Sequence, residues 1–181
     1  MDRIVRTNRE LVRKCHVFDL YEDTIQFPEG KTAQWDFLKH NGAAAVVPVT
    51  ADGKLLLVRQ FRNAVDRYSL EIPAGKKDDP KESGLSCAGR ELEEETGYRS
   101  DHLEFLTKLV TAIAYCSETI DIYVARDLVR TEQHLDEDEY IDIEAYTVDE
   151  LKKMIFDGTL QDAKTVAAVM AYIVKYGQEE K

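Results

Sequence analysis

The sequence predicts a protein of the α/β class, and three observations carry that prediction. An almost unbroken apolar run, Ala43–Thr50, has the length of a buried strand and is bounded by turn residues. The segment 79–97 carries the start and stop signals of a helix. Two further helical patterns, at 147–156 and 162–175, follow later in the chain. Strands and helices that alternate along one chain indicate the α/β class.

Size and charge exclude several classes of protein. The chain has 181 residues, 44% hydrophobic and 33% charged, which is typical of a globular protein with a proper core. A net charge of −11, from 24 basic and 35 acidic residues, argues against binding to nucleic acid or to an anionic membrane. No apolar run has the length of a membrane span, and the N-terminus lacks the apolar segment of a signal peptide. Three cysteines without ligand spacing indicate reduced thiols of a cytoplasmic protein.

The first third of the chain is predicted to be rich in strands. Cys15–Tyr21, Thr24–Phe27 and Lys31–Leu38 read as strands of a small N-terminal sheet, with Glu22-Asp23 as a polar break. After the buried run, the Asp-Gly pair at 52–53 predicts a hairpin whose second strand is Leu55–Phe61. These strands therefore precede the first helix.

The first predicted helix has clear signals at both ends. Asp79 is the expected N-cap, because a carboxylate accepts hydrogen bonds from the first backbone amides of a helix. Pro80 would occupy the first helical position, and Glu82 would complete a capping box. Gly97 would end the helix in the left-handed conformation.

Glu91, Glu94 and Glu95 lie on this helix between its two ends. Glu91 and Glu95 are four residues apart, so their carboxylates share one helix face, and Glu94 lies beside them. Such like charges repel one another unless a cation joins them. Oxygen ligands in a close cluster suit hard cations such as Mg2+ or Mn2+. The alternative interpretation is an acidic face exposed to solvent.

The second half of the chain continues the alternation. Leu103–Ile113, Thr119–Ala125 and Tyr140–Thr147 read as strands. A capping box beginning at Thr147 predicts a helix through Phe156, and a last helix is expected from Asp162 or Ala163 to about Lys175.

The segment from Gly75 to Tyr98, GKKDDPKESGLSCAGRELEEETGY, resembles the signature of the Nudix family. That signature is written G-x5-E-x7-R-E-U-x-E-E-x-G-U, where U is a bulky apolar residue, and this chain has one extra residue before Glu82. The segments RQFR at 59–62 and EIPAG at 71–75 are similar to the ADP-ribose pyrophosphatase branch of the family. The chain is therefore identified as a member of that branch by resemblance.

The resemblance implies a metal-dependent hydrolase. The family uses Mg2+, with Mn2+ as a possible substitute. By resemblance the metal ligands would be the backbone carbonyl of Ala74, Glu91, Glu95 and Glu139. Glu137 would be the general base, with Asp136 and Asp138 as rivals because the register of the acidic segment 132–144 is open. Glu94 is a further candidate catalytic residue or ligand, and Arg90 is expected to orient neighbouring carboxylates.

Three residues are candidates for substrate binding. Arg62 would bind phosphate or ribose by resemblance, and the alternative is a surface arginine paired with a carboxylate. Glu118 would accept a hydrogen bond from a ribose hydroxyl. Trp35, the only tryptophan, would either stack on a nucleobase or lie in an interface.

The resemblance also implies a fold and an activity. The fold would be an α/β/α sandwich with a mixed central sheet, formed by residues 41–181, with an antiparallel strand extension at 1–40 that serves a homodimer. The expected activity is hydrolysis of the pyrophosphate of a nucleoside diphosphate derivative, with ADP-ribose as first choice, giving AMP and ribose 5-phosphate. The alternatives are another nucleotide-sugar or nucleotide, or a sensor that binds ADP-ribose without cleaving it.

Overall fold

The computed structural model of the chain describes residues 3–137 and 139–177. The chain divides into two compact units. The first contains the chain up to Gly42 together with Val110–Thr119, and the second contains Ala43–Leu109 and the chain from Ile120 onward. The segment Val110–Thr119, which the sequence analysis placed in the hydrolase domain, is therefore part of the first unit.

The first unit contains an antiparallel sheet in the order β1-β2-β3, formed by β1 (Val5–Lys14), β2 (Asp19–Gln26) and β3 (Thr32–Lys39). The sequence analysis missed β1 and was wrong to break β2 at Glu22-Asp23. Strand β1 was missed because it is almost entirely exposed and polar, so it has no apolar pattern. Asp23 is buried, and Arg9 donates two hydrogen bonds of 2.6 Å to its carboxylate. Pairing between strands, rather than apolar alternation, forms this sheet.

The second unit is built from nine strands and three α-helices among the described residues. In chain order they are β4 (Ala43–Pro48), β5 (Leu55–Arg62), β6 (Arg67–Glu71), β7 (Ala74–Lys76), α1 (Gly84–Thr96), β8 (Tyr98–Arg99), β9 (His102–Val110), β10 (Thr119–Arg126), β11 (Val129–Arg130), β12 (Asp142–Tyr146), α2 (Val148–Phe156) and α3 (Ala163–Tyr176). None of the helices in the described part of the chain is long and apolar enough to cross a bilayer.

The strands of the second unit form a mixed sheet in the order β7-β4-β10-β9, an antiparallel sheet in the order β12-β5-β6, and a short pair, β11-β8. Strand β4 is parallel to β10 and antiparallel to β7. The prediction that β5 pairs with β4 as a hairpin was wrong. The turn is present, with Gly53 at φ +79°, but only the bridge between Val49 and Leu55 joins the two segments. Both edges of β4 are taken by β7 and β10, so β5 joins the other sheet.

The two faces of β4 are covered by different layers, because successive side chains on a strand point to opposite sides. Ala44 and Val46 pack with residues of α1, namely Cys87, Ala88 and Leu92. Ala45 and Val47 face the larger core, which β5 and β10 share with α2 and α3. The second unit is thus the α/β/α sandwich with a mixed sheet that the sequence predicted.

Candidate active site

Helix α1 begins later than the sequence predicted. Its N-cap is Ser83, whose hydroxyl accepts a hydrogen bond of 3.0 Å from the amide of Ser86. The prediction of Asp79 as N-cap was wrong, because its carboxylate accepts from the amide of Lys81 within the preceding turn. The predicted end is confirmed. Gly97 adopts φ +64°, and its amide donates to the carbonyl of Glu93.

Glu91 and Glu95 project from α1 into the protein and are 8% and 3% exposed. Burial raises the pKa of the Glu91 carboxyl to about 7, although the charge of Arg90 opposes this. Burial, and then repulsion by Glu91, raise the pKa of Glu95 to about 8. Two buried carboxylates that resist ionisation side by side form a site that a cation would stabilise.

Arg90 holds the neighbouring carboxylates together, as the sequence analysis expected. Its Nη1 donates hydrogen bonds of 2.8 Å to both Glu91 and Glu94. Its Nε lies 3.4 Å from Glu82, and its Nη2 donates to the carbonyl of Lys76 at 3.1 Å. Glu82 therefore pairs with Arg90 and accepts a hydrogen bond from the amide of Asp78, rather than capping α1. Glu94, the candidate catalytic residue, is held by Arg90 in this arrangement.

Strand β7 packs directly against the two buried glutamates. The amide of Ala74 donates a hydrogen bond of 3.0 Å to Glu95 Oε2. At Gly75, a Cβ atom would lie only 2.1 Å from Glu91 Oε1, so the strand could not approach Glu91 this closely with any other residue. The structure thus brings Ala74, Glu91 and Glu95 together, as the sequence analysis expected.

The acidic segment after β11 contributes a further carboxylate. Glu139 is partly buried, and its charge adds to the effect of burial in raising the pKa of both Glu91 and Glu95, so it lies near them. Its Oε2 accepts a hydrogen bond of 3.3 Å from the amide of Asp136. Glu137, the predicted base, lies in a turn and is exposed. Asp138, one of the rivals for that role, lies outside the described residues.

The donor set fits a hard divalent cation. The carboxylates of Glu91, Glu95 and Glu139 and the carbonyl of Ala74 are oxygen ligands of the kind that Mg2+ and Mn2+ prefer. In residues 3–137 and 139–177, no three acidic, histidine or cysteine side chains enclose a metal ion as they stand. Glu91 and Glu95 are instead bonded to Arg90 and Ala74. The fit consequently rests on ligand chemistry and on the burial of like charges.

Arg62 is paired with a buried carboxylate close to this site. Its Nε and Nη2 donate hydrogen bonds of 2.8 and 2.7 Å to Glu71, which is 2% exposed. Lys164, on α3, donates to the same carboxylate. The neighbouring Thr165 hydroxyl accepts from the amide of Ile72 at 2.9 Å. This network joins α3 to Glu71 and Ile72, just before β7, and it matches the alternative in which Arg62 pairs with a carboxylate.

Lys164 and Thr165 were not identified from the sequence. Their partners Glu71 and Ile72 lie 93 residues away along the chain. No local pattern indicates such a contact, because a lysine at the start of an amphipathic helix is an ordinary surface residue.

Glu71→Gln is expected to lower the free energy of unfolding at pH 7 by about 3 kcal/mol. Burial alone would raise the pKa of Glu71, but the bonds and charges of Arg62 and Lys164 outweigh it and lower the pKa to about 2. A lowered pKa contributes stability above the ordinary value near 4.5 and loses it as the pH falls toward 2. Urea unfolding at pH 7 and at pH 3 measures the effect, which should shrink at pH 3.

A matched control for this prediction is Glu104→Gln. Glu104 also pairs with a lysine, Lys175, but its side chain is 56% exposed, so its loss should change stability little. Equal effects of the two substitutions at pH 7 would contradict the buried role of Glu71.

Trp35 and Glu118, two of the predicted substrate-binding residues, belong to the first unit. Trp35 is 49% exposed, and its ring meets the edge of Phe27 at 6.3 Å between centroids. Glu118 accepts a hydrogen bond of 2.8 Å from Thr111, and its other oxygen lies 3.6 Å from His40 Nδ1. The role of either residue toward a substrate stays a prediction.

Comparisons with known proteins agree with this geometry. The family profile described as the NUDIX domain matches residues 39–169. The chain is 36% identical over 172 residues to an ADP-ribose pyrophosphatase of Bacillus subtilis (strain 168), covering 94% of this chain and 90% of that protein. It is 38% identical over 165 residues to a methanol dehydrogenase activator of Bacillus methanolicus, covering 88% of this chain and 87% of that protein. A crystal structure of an ADP compounds hydrolase superposes with a TM-score of 0.87 at 25% identity, covering 99% of this chain and 97% of that one.

Proposed function

The chain belongs to the Nudix family of hydrolases, and from that premise we propose that it cleaves the pyrophosphate of a nucleoside diphosphate derivative in the presence of Mg2+. ADP-ribose is the first choice of substrate, with AMP and ribose 5-phosphate as products. The observation that carries this proposal is the pair of buried carboxylates, Glu91 and Glu95, beside Ala74 at the start of β7. The similarity to an ADP-ribose pyrophosphatase over nearly the whole chain supports the choice of substrate.

In the proposed mechanism, Glu91, Glu95, Glu139 and the carbonyl of Ala74 hold the divalent cations. When bound, these cations supply Lewis-acid chemistry that offsets the negative charge of the diphosphate. Arg90 keeps Glu91 and Glu94 in place through its two hydrogen bonds. Glu137, which is exposed in a turn, takes a proton from the attacking water.

We further propose that the protein is a cytoplasmic homodimer and that the strand extension at 1–40 forms the interface. The support is four exposed apolar side chains on β1 and next to it, Val5, Leu11, Val12 and Val17, which are between 42% and 59% exposed. Apolar surface of this kind is common where copies of a chain associate. Reduced thiols are consistent with the compartment, since all three cysteines are free. Light scattering of the full chain measures the oligomeric state.

The experiment that tests the activity is release of phosphate by an added phosphatase. ADP-ribose resists phosphatase because its phosphates are blocked at both ends, whereas both expected products carry a terminal phosphate. The panel contains ADP-ribose and other nucleotide-sugars, each with and without Mg2+. Nucleoside triphosphates, which the phosphatase attacks directly, are tested without it, by the appearance of nucleoside monophosphate. We expect Mg2+-dependent release from ADP-ribose. Tight binding of ADP-ribose without release from any compound would instead indicate the sensor.

A further inference from the structure

The last turn of α1 is bonded to the start of the acidic segment. Carbonyl groups in the last turn of a helix have no partner within the helix. In this protein the amide of His134 donates to the carbonyl of Glu94 at 3.0 Å, and the side chain of Gln133 donates to the carbonyl of Glu95 at 2.7 Å. The amide of Thr131 also donates to the carbonyl of Gly97 at 2.8 Å. The helix that carries the buried glutamates therefore also anchors this segment.

Gln133 also reaches the far end of the same segment. Its Nε2 donates a second, longer hydrogen bond of 3.4 Å to the carbonyl of Ile141. An amide nitrogen carries two hydrogens, so one side chain can serve both carbonyls. We call residues 134–140 the acidic loop. The loop begins directly after Gln133 and ends at Ile141, to which the Gln133 side chain is bonded. The acidic loop contains both Glu137 and Glu139.

The surroundings of Gln133 show how its position is fixed. At Gly97, a Cβ atom would lie 3.0 Å from the backbone nitrogen of Gln133, so the two backbones approach closely. On another side is a cavity of about 360 Å³, which Gln133 lines together with Thr96 and Ile143. The side chain is exposed rather than packed in the core. Its orientation consequently depends on the two hydrogen bonds and not on packing.

We propose that Gln133 is a positioning residue that holds both ends of the acidic loop on the end of α1, and so keeps Glu139 near Glu91 and Glu95 and Glu137 within reach of the reaction. The proposal rests on the proposed function, because it assigns the acidic loop to that same site. Gln133 itself touches neither substrate nor cation. Without its two bonds, the loop keeps its sequence and charge but occupies the productive arrangement for less of the time.

The test uses Gln133→Met, which keeps the length of the side chain and removes its donors, and Gln133→Glu, which places a carboxylate against two carbonyls. The matched control is Glu132→Gln, an exposed neighbour. With ADP-ribose and saturating Mg2+, we expect kcat to fall about tenfold in the methionine variant and further in the glutamate variant. KM should stay within about twofold, and the unfolding temperature within about 2 °C of the wild-type value.

A second readout does not depend on turnover. Amide hydrogen exchange, measured without added metal, should be about tenfold faster across 134–140 in Gln133→Met than in the control. Exchange in the first turns of α1 should be unchanged. If either kcat or loop exchange in Gln133→Met equals that of Glu132→Gln, the positioning role is overturned. If wild-type protein releases no phosphate from any diphosphate derivative, the proposed function fails, and faster exchange in the variant would still show the anchor.

Discussion

Glu95→Gln is expected to lower kcat for ADP-ribose by at least about 1,000-fold at saturating Mg2+. Glu95 is buried, and repulsion by Glu91 adds to the cost of its negative charge. A bound cation would stabilise the negative charge of this buried carboxylate. Glutamine is neutral and cannot replace it as a charged ligand, so the substitution should remove the activity. Steady-state kinetics over a range of Mg2+ concentrations measures the loss. An unchanged kcat at saturating Mg2+ would count against the metal role.

The same variant should fold normally. The side-chain oxygen of glutamine can still accept the hydrogen bond from the amide of Ala74, which lies 3.0 Å from Glu95 Oε2. Glu93→Gln, on the same helix, is the matched control because Glu93 lies two residues from both Glu91 and Glu95 and so points away from their face. We expect this control to retain wild-type activity.

Metal removal gives this prediction a distinct pH signature. The pKa of Glu95 is raised to about 8, above its ordinary value of 4.5. A raised pKa in the folded state contributes stability that is fully present below 4.5 and is lost as the pH rises through 8. Metal-free wild-type protein should therefore become less stable from pH 5 to pH 8, and Glu95→Gln should show a flatter profile. Added Mg2+ should restore stability mainly at pH 8 and mainly in the wild-type protein.

Features that depend on neighbours in sequence were predictable. The end of α1 at Gly97 and the capping box of α2 at Thr147 and Glu150 were predicted, and the structure confirms both. The shared face of Glu91 and Glu95 follows from the helical repeat alone. The start of α1 was missed because Asp79 and Ser83 can both accept from a first turn, and the sequence does not decide between them.

Features that depend on distant pairing were not predictable. Strand β1 has no apolar periodicity, and its place depends on β2 and on the bond between Arg9 and Asp23. Strand β5 pairs in a second sheet because β10, which lies far along the chain, occupies an edge of β4. In the site, Arg62 pairs with Glu71, and the distant Lys164 donates to the same carboxylate. Periodicity reports which side of an element is buried, but not what it is buried against.

Comparing two glutamates of the acidic loop tests which of them is the base and which is a metal ligand. Glu139 lies near Glu91 and Glu95, as a further metal ligand would, while Glu137 is exposed in a turn. Glu137→Gln should therefore bind ADP-ribose with unchanged affinity and turn it over roughly 100- to 10,000-fold more slowly, the range expected for loss of a general base. Glu139→Gln should instead raise the Mg2+ concentration needed for half-maximal activity.

Three measurements separate these roles: single-turnover rates, substrate affinity, and a Mg2+ titration of each variant. In Glu137→Gln, the rate should climb steadily with pH, because hydroxide replaces the missing base, and the Mg2+ requirement should stay that of the wild type. If Glu139→Gln shows this behaviour and Glu137→Gln does not, the two assignments must be exchanged. That outcome would place the base on Glu139, which already lies near the buried pair, and Glu137 would be left as an exposed carboxylate of the turn.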